Sequence, residues 1–140
     1  MEEEMGTKNN RKTRPPVSKT RILLVDDQPE LLYILKFILE RSGFHVESAA
    51  NGREALDLVV AGRHFDLVIT DIRMPKMDGH ELLRWIRKWK EDLPVIMITG
   101  HSTQKDRLQA VREGAFAYIT KPFGTKALLR VVRKALKGGN

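Results

Sequence analysis

Three carboxylates, a hydroxyl and an amine stand directly behind short apolar runs in this sequence. Asp26 and Asp27 follow Ile22-Leu23-Leu24-Val25, and Thr70-Asp71 follows Leu67-Val68-Ile69. Thr99 follows Val95-Ile96-Met97-Ile98, and Thr120-Lys121-Pro122 follows Phe116-Ala117-Tyr118-Ile119. One acid behind one run is an ordinary helix cap; matched polar residues behind four runs are a pattern. If the runs are parallel strands, their carboxyl ends share one edge of a sheet, and these groups converge there. Clustered acids repel one another unless a cation sits among them. All the donors are oxygens, which suits a hard ion such as Mg²⁺ (or Mn²⁺). The four histidines, at 45, 64, 80 and 101, are scattered and form no zinc arrangement. A carboxylate, a divalent cation, an ammonium and a hydroxyl are the parts of a phosphoryl-transfer site. Asp71 would be the nucleophile and form an acyl phosphate, Lys121 and the metal would neutralise the transferring oxygens, and Thr99 would donate a hydrogen bond.

The elements that must hold these groups are legible from hydrophobic patterning. None of the four runs alternates apolar with polar, so each reads as a strand covered on both faces. Phe44-His45-Val46-Glu47-Ser48 does alternate and reads as a strand nearer an edge. Helical patterns fill the gaps. Pro29 suits a first turn, Leu31, Leu35, Ile38 and Leu39 share a face, and Gly43 ends that helix. Asn51 with Glu54, and Asp78 with Glu81, make capping-box-like starts. The first of these leads a helix to about Gly62; the second precedes Leu82, Trp85, Ile86 and Trp89, with both tryptophans expected in packing. A fourth helix fits Ser102 to about Glu113 before Gly114, and a fifth fits Thr125 to Lys137 with Leu128, Leu129, Val132 and Leu136 inward. Five alternations of strand and helix predict an α/β sandwich with helices on both sides of a five-stranded parallel sheet.

Composition narrows the class further. A chain of 140 residues, 41% hydrophobic and 31% charged, fits one soluble domain. Apolar runs such as Leu31 to Leu35 are far shorter than the ~18 residues of a membrane span. The start Met-Glu-Glu-Glu carries no secretory pattern, and the absence of cysteine removes disulfides and thiol catalysis. The expected address is cytoplasmic. The net charge of +7 sits at the ends: +2 over residues 1–20, −1 over 21–120 and +6 over 121–140. A nearly neutral body with basic ends is no DNA-binding signature. Residues 1–19 hold, besides the initial Met1 and two prolines, only Met5 and Val17 as apolar side chains and read as a flexible basic leader. The domain is expected over 20–138, with 139–140 a short C-terminal end.

The segments Ile22-Leu23-Leu24-Val25-Asp26-Asp27, Asp71-Ile72-Arg73-Met74-Pro75-Lys76-Met77-Asp78-Gly79, Thr99-Gly100 and Lys121-Pro122-Phe123 carry a family likeness. In this order and spacing the chain resembles the receiver domain of bacterial two-component response regulators over residues ~20–138. The resemblance implies a flavodoxin-like, doubly wound sheet of order 2-1-3-4-5 with five helices. It implies a signalling domain, not a dedicated enzyme, whose phosphoacceptor is Asp71 and whose phosphodonor is a histidine kinase or phosphotransfer protein. It also implies Mg²⁺ at Asp27, Asp71 and the backbone carbonyl of Arg73, with Asp26 acting largely through water. Lys121 would contact the phosphoryl group, across a cis bond to Pro122. Thr99 and Tyr118 would form the switch that alters the face of the fourth helix, fifth strand and fifth helix. Arg73 and His101, two residues beyond Asp71 and Thr99, would tune how long the acyl phosphate survives.

Other functions fit less well. A phosphatase of the haloacid-dehalogenase kind needs an acid two residues after its nucleophile, where this chain has Arg73. A nucleotide or flavin domain needs a phosphate cradle after the first strand, and Asp26-Asp27-Gln28-Pro29-Glu30 repels phosphate. A never-phosphorylated interaction module would commonly lack one of the acids, the Thr or the Lys. No helix-turn-helix follows the last helix in these residues. The expectation is a receiver, alone or part of a longer polypeptide, that acts through an unknown downstream effector and touches neither nucleic acid nor membrane. The segment Gly114–Tyr118 lacks the acidic pair common in receiver dimers, so a monomer or a weak phosphorylation-dependent dimer is expected.

Overall fold

The unbroken apolar runs form the strands of one sheet. A computed structural model describes residues 20–138; the leader expected over 1–19 and the end at 139–140 lie outside them. The strands are β1 (Arg21–Val25), β2 (His45–Ala49), β3 (Leu67–Asp71), β4 (Val95–Thr99) and β5 (Ala117–Thr120). They alternate with the helices α1 (Pro29–Arg41), α2 (Gly52–Val60), α3 (Gly79–Trp89), α4 (Gln104–Arg112) and α5 (Thr125–Leu136). The sheet order is β2-β1-β3-β4-β5 and every pairing is parallel, the doubly wound flavodoxin-like order.

Period-two geometry sorts the apolar runs into two cores. Leu23, Val25, Val68, Val95 and Met97 pack with Leu56 and Val59 of α2, Leu82, Leu83 and Ile86 of α3, and Ala110 of α4. Their neighbours Ile22, Leu24, Leu67, Ile69, Ile96 and Ile98 pack on the other face with Leu35 and Leu39 of α1 and Leu128, Val132 and Ala135 of α5. Two buried faces explain why these strands show no polar alternation. The capping residues also act as expected. Asn51 Oδ1 accepts from Glu54 N at 2.9 Å, while Glu54 Oε1 accepts from Ala50 N at 3.0 Å, one residue earlier than an ideal box. Asp78 Oδ1 accepts from Glu81 N at 2.9 Å.

Several expectations shift. β2 and β5 each begin one residue later than their apolar runs. β5 is not covered on both faces: it is the sheet's outer strand beside β4, and all four of its residues keep some exposure. α4 begins at Gln104 instead of Ser102, because Thr103 Oγ1 accepts from Asp106 N at 3.0 Å and fixes the cap one residue on. Trp85 and Trp89 are not packed in the core but stand on the outer side of α3, with the Lys88 ammonium over the Trp85 ring.

Ile69 in β3 is fully buried, while Ile119 in β5 is only partly so. Ile69→Ala should therefore cost about 2–5 kcal/mol in urea unfolding, and Ile119→Ala clearly less. Equal losses at the two positions would contradict the layering described.

Candidate functional site

Strand register brings the acids together. Val25 of β1 pairs with Thr70 of β3, so Asp26 emerges beside Asp71, the last residue of β3. Thr99 closes β4 and pairs with Thr120 of β5, which delivers Lys121 to the same edge. The Lys121 amide donates to the Thr99 carbonyl at 2.8 Å, and the bond from Lys121 to Pro122 is cis. The segment between Asp71 and α3 folds back tightly over the edge. Gly79 N donates to the Ile72 carbonyl at 2.8 Å, and any Cβ at Gly79 would collide with the Asp71 carbonyl oxygen.

The resulting geometry is acidic and partly dry. Asp26, Asp27 and Asp71 each place a carboxylate oxygen within 4.8 Å of the others. Asp26 is fully buried and Asp71 nearly so, whereas Asp27 is exposed. Asp26 Oδ1 accepts from Gln28 N at 2.9 Å, but Oδ2 is buried with no hydrogen-bond partner. Lys121 Nζ lies 3.6 Å from that oxygen and 3.3 Å from Asp71 Oδ2. Asp71 Oδ1 accepts from Ile72 N at 2.6 Å. Burial pushes the Asp26 carboxyl above its ordinary range. The Gln28 amide and Lys121 oppose that push, and Asp71 and Asp27 reinforce it. A buried, unpartnered oxygen amid three carboxylates fits a hard divalent cation.

The remaining expected residues fall around this centre. Thr99 is buried, and its hydroxyl accepts from His101 N at 3.1 Å; the His101 side chain is exposed. Tyr118 is half-buried, its hydroxyl enclosed without a partner, and the Arg107 guanidinium stacks 4.6 Å from its ring centroid. Arg73 does not point its guanidinium at Asp71 in a direct bond; it donates to Asp106 Oδ2 at 2.6 Å.

That bond opens onto a cluster that sequence reasoning missed. Asp106 Oδ1 meets His80 Nε2 at 3.0 Å, and Thr103 Oγ1 donates to Asp106 Oδ2 at 3.1 Å. His80 Nδ1 faces Glu113 Oε1 at 3.4 Å, and Arg84 donates to Glu113 Oε2 at 2.9 Å. Burial raises the Asp106 carboxyl, but His80, Thr103 and Arg73 outweigh it and hold the group below the ordinary range. Glu113 is likewise held down against burial, by Arg84, Gln109 and His80. The sequence shows only the i, i+4 spacing of His80 and Arg84 on α3; their partners Asp106, in α4, and Glu113, at its C-cap, meet them only through packing.

Comparison with known proteins decides the family. Residues 22–133 match the response regulator receiver domain. The chain belongs to that family. It is 42% identical over 120 residues to the C4-dicarboxylate transport transcriptional regulatory protein DctD of Pseudomonas aeruginosa, covering 86% of this chain and 26% of that protein. It is 38% identical over 117 residues to the response regulator MprA of Mycolicibacterium vanbaalenii, covering 84% and 50% respectively. The receiver thus spans between a quarter and a half of these relatives' length. Among solved structures, a CheY-like receiver from Methanospirillum hungatei JF-1 superposes with a TM-score of 0.81 at 36% identity, covering 84% of this chain and 94% of the other. The response regulator TrrA of Thermotoga maritima, solved in complex with Mg²⁺ and BeF, gives a TM-score of 0.76 at 38% identity, covering 83% and 98%. The family is one of signalling domains, and no described helix is long and apolar enough to cross a membrane.

The raised Asp26 carboxyl has a measurable sign. Between the ordinary value of 3.8 and its raised value, the folded receiver holds a proton that the unfolded chain has released. Stability therefore falls as pH rises through that window and stays lower above it. In cation-free buffer, Asp26→Asn keeps the acceptor for Gln28 and should be more stable than wild type near neutral pH, with the gap closing as pH falls towards the ordinary carboxylate range. Urea unfolding at several pH values checks this; a constant gap across pH would refute it.

Proposed function

We propose that this receiver is a phosphorylation-dependent switch in which Asp71 accepts a phosphoryl group from a phosphohistidine on a histidine kinase or phosphotransfer protein. The observation that carries this reading is the buried, unpartnered Asp26 oxygen beside two further carboxylates and one lysine. Asp26, Asp27, Asp71 and the backbone carbonyl of Arg73 are the groups that would hold Mg²⁺ (or Mn²⁺). When bound, the ion supplies positive charge against the oxygens of the transferring group. The resemblance to TrrA, solved with Mg²⁺ and BeF, supports that assignment.

The residues divide the chemistry between them. Asp71 Oδ1 is engaged by the Ile72 amide, which leaves Oδ2, beside Lys121, as the attacking oxygen. The new O–P bond forms as the P–N bond of the donor breaks, and its electron pair returns to the imidazole nitrogen. Lys121 follows the charge from the carboxylate onto the phosphoryl oxygens. Thr99, at the end of β4, donates its hydroxyl to the same group. Its displacement makes room for Tyr118 to turn inward, which changes the face of α4, β5 and α5 presented to a downstream effector. The aspartyl phosphate ends when water attacks phosphorus, releasing inorganic phosphate and restoring the Asp71 carboxylate. The domain assists its own Mg²⁺-dependent phosphotransfer and dephosphorylation, and Arg73 and His101 set the pace of phosphate loss. On this reading the working unit covers residues 20–138.

Incubation with Mg²⁺ and a small phosphodonor, followed by intact mass, tests the proposal. Wild type should gain one phosphoryl group, and Asp71→Asn none. Arg73→Ala and His101→Ala should each alter the rate of loss. Phosphorylation of Asp71→Asn, or no gain by wild type, would overturn the assignment.

A further inference from the structure

α4 is attached to the rest of the molecule in an unusual way. Of its nine residues only Asp106 and Ala110 are buried, so one of its two anchors is a carboxylate. That carboxylate is held from two directions. His80 of α3 and Thr103 at the helix's own cap bind it from within, and Arg73 binds it from the segment that follows Asp71. Arg73 therefore links the segment that follows β3 to α4 through one guanidinium.

The two ends of this tie are unequal. Asp106 is 5% exposed and is bonded to His80 and Thr103 as well as to Arg73. The Arg73 side chain is 55% exposed and makes one bond to Asp106. The groups border an open cleft of about 420 Å³ lined by Arg73, His80, Arg84, Thr103, Asp106 and Gln109 among others. Moving the guanidinium out of that bond breaks no packing and leaves no buried charge without a donor. A phosphoryl group on Asp71, two residues away in sequence, adds about −1.5 to −2 charges and three acceptor oxygens, which suit a guanidinium better than one carboxylate oxygen does.

We propose that Asp106 is a positioning residue for the dephosphorylation step: it holds the Arg73 guanidinium on α4, in competition with the phosphoryl group on Asp71. This rests on Asp71 being the phosphoacceptor. A guanidinium released from Asp106 pairs with the phosphoryl oxygens on the exposed side of the site, where attacking water must enter, and lengthens the life of the acyl phosphate. The reverse holds as well, since a phosphoryl group that captures Arg73 removes one of the bonds that fix α4.

A double-mutant cycle on the phosphorylated protein tests the competition. Asp106→Asn should slow phosphate release on the order of threefold to tenfold, the net scale of one ordinary hydrogen bond. In an Arg73→Ala background, Asp106→Asn should leave the rate unchanged. An equal effect in both backgrounds, no effect in either, or an acceleration overturns the proposal. Because Arg73 is exposed, Arg73→Ala also allows a reading that does not depend on the buried substitution. Hydrogen exchange in α4 should quicken in wild type on adding Mg²⁺ and beryllofluoride, and should already be quick and unresponsive in Arg73→Ala. Slow, unchanged exchange in both proteins refutes the tie. If wild type gains no phosphoryl group at all, the parent assignment of Asp71 fails; if it gains one and the cycle is additive, only the competition fails.

Discussion

Three carboxylates forced to one sheet edge are the constraint around which this molecule is organised. Fully ionised, the carboxyls of Asp26, Asp27 and Asp71 would carry three negative charges against the one positive charge of Lys121, near two of them. The shortfall is two charges, the value of one divalent cation. Asp27 can shed its share into water, but Asp26 is fully enclosed and one of its oxygens has no donor. An ionised carboxylate in that position is expensive to bury, and its raised proton affinity is the same cost seen from the side of titration. Burying that carboxylate lowers stability in the cation-free protein, a cost of the kind commonly met at functional sites.

Such crowding needs a stiff frame. The register of β1 on β3 and of β4 on β5 places Asp26, Asp71, Thr99 and Lys121, and one residue of slip would turn each to the wrong side of the sheet. Slip is opposed by apolar packing on both faces of β1, β3 and β4, whose buried residues serve the two cores alternately. The turn after Asp71 is held just as closely, because Gly79 leaves the Asp71 carbonyl no space for a neighbouring side chain. Rigidity here is a property of the backbone and its packing, and the polar groups are carried along by it.

These relations explain what could be read from the sequence. A strand buried on both faces writes itself as an unbroken apolar run, and a strand-end acid follows that run directly, so β1, β3, β4 and their polar termini were legible from composition over a few residues. The family likeness supplied the strand order. β5 misled because an outer strand can be apolar without being enclosed. Trp85 and Trp89 misled because helical spacing places them near the inner stripe of α3 without stating which side of that stripe they flank. The His80, Asp106 and Glu113 cluster was hidden for a different reason. Its members come from separate elements, 26 residues apart for the closest bond between His80 and Asp106, and no local pattern marks a contact made only when two helices pack.

The contrast between α4 and its neighbours gives the proposed switch its physical basis. α3 buries Leu82, Leu83 and Ile86, and α5 buries Leu128, Val132 and Ala135, so neither can move without exposing apolar surface. α4 buries one alanine and one charged side chain. Alanine contributes little area, and the polar bonds of Asp106 can be exchanged for others of similar strength. A change of about two charges at Asp71 acts weakly on a helix held by hydrophobic burial and strongly on one held by ion pairs. The proposed switch therefore needs no long pathway to reach the surface: the helix bearing the lightest apolar anchorage also shares a guanidinium with the segment that follows Asp71.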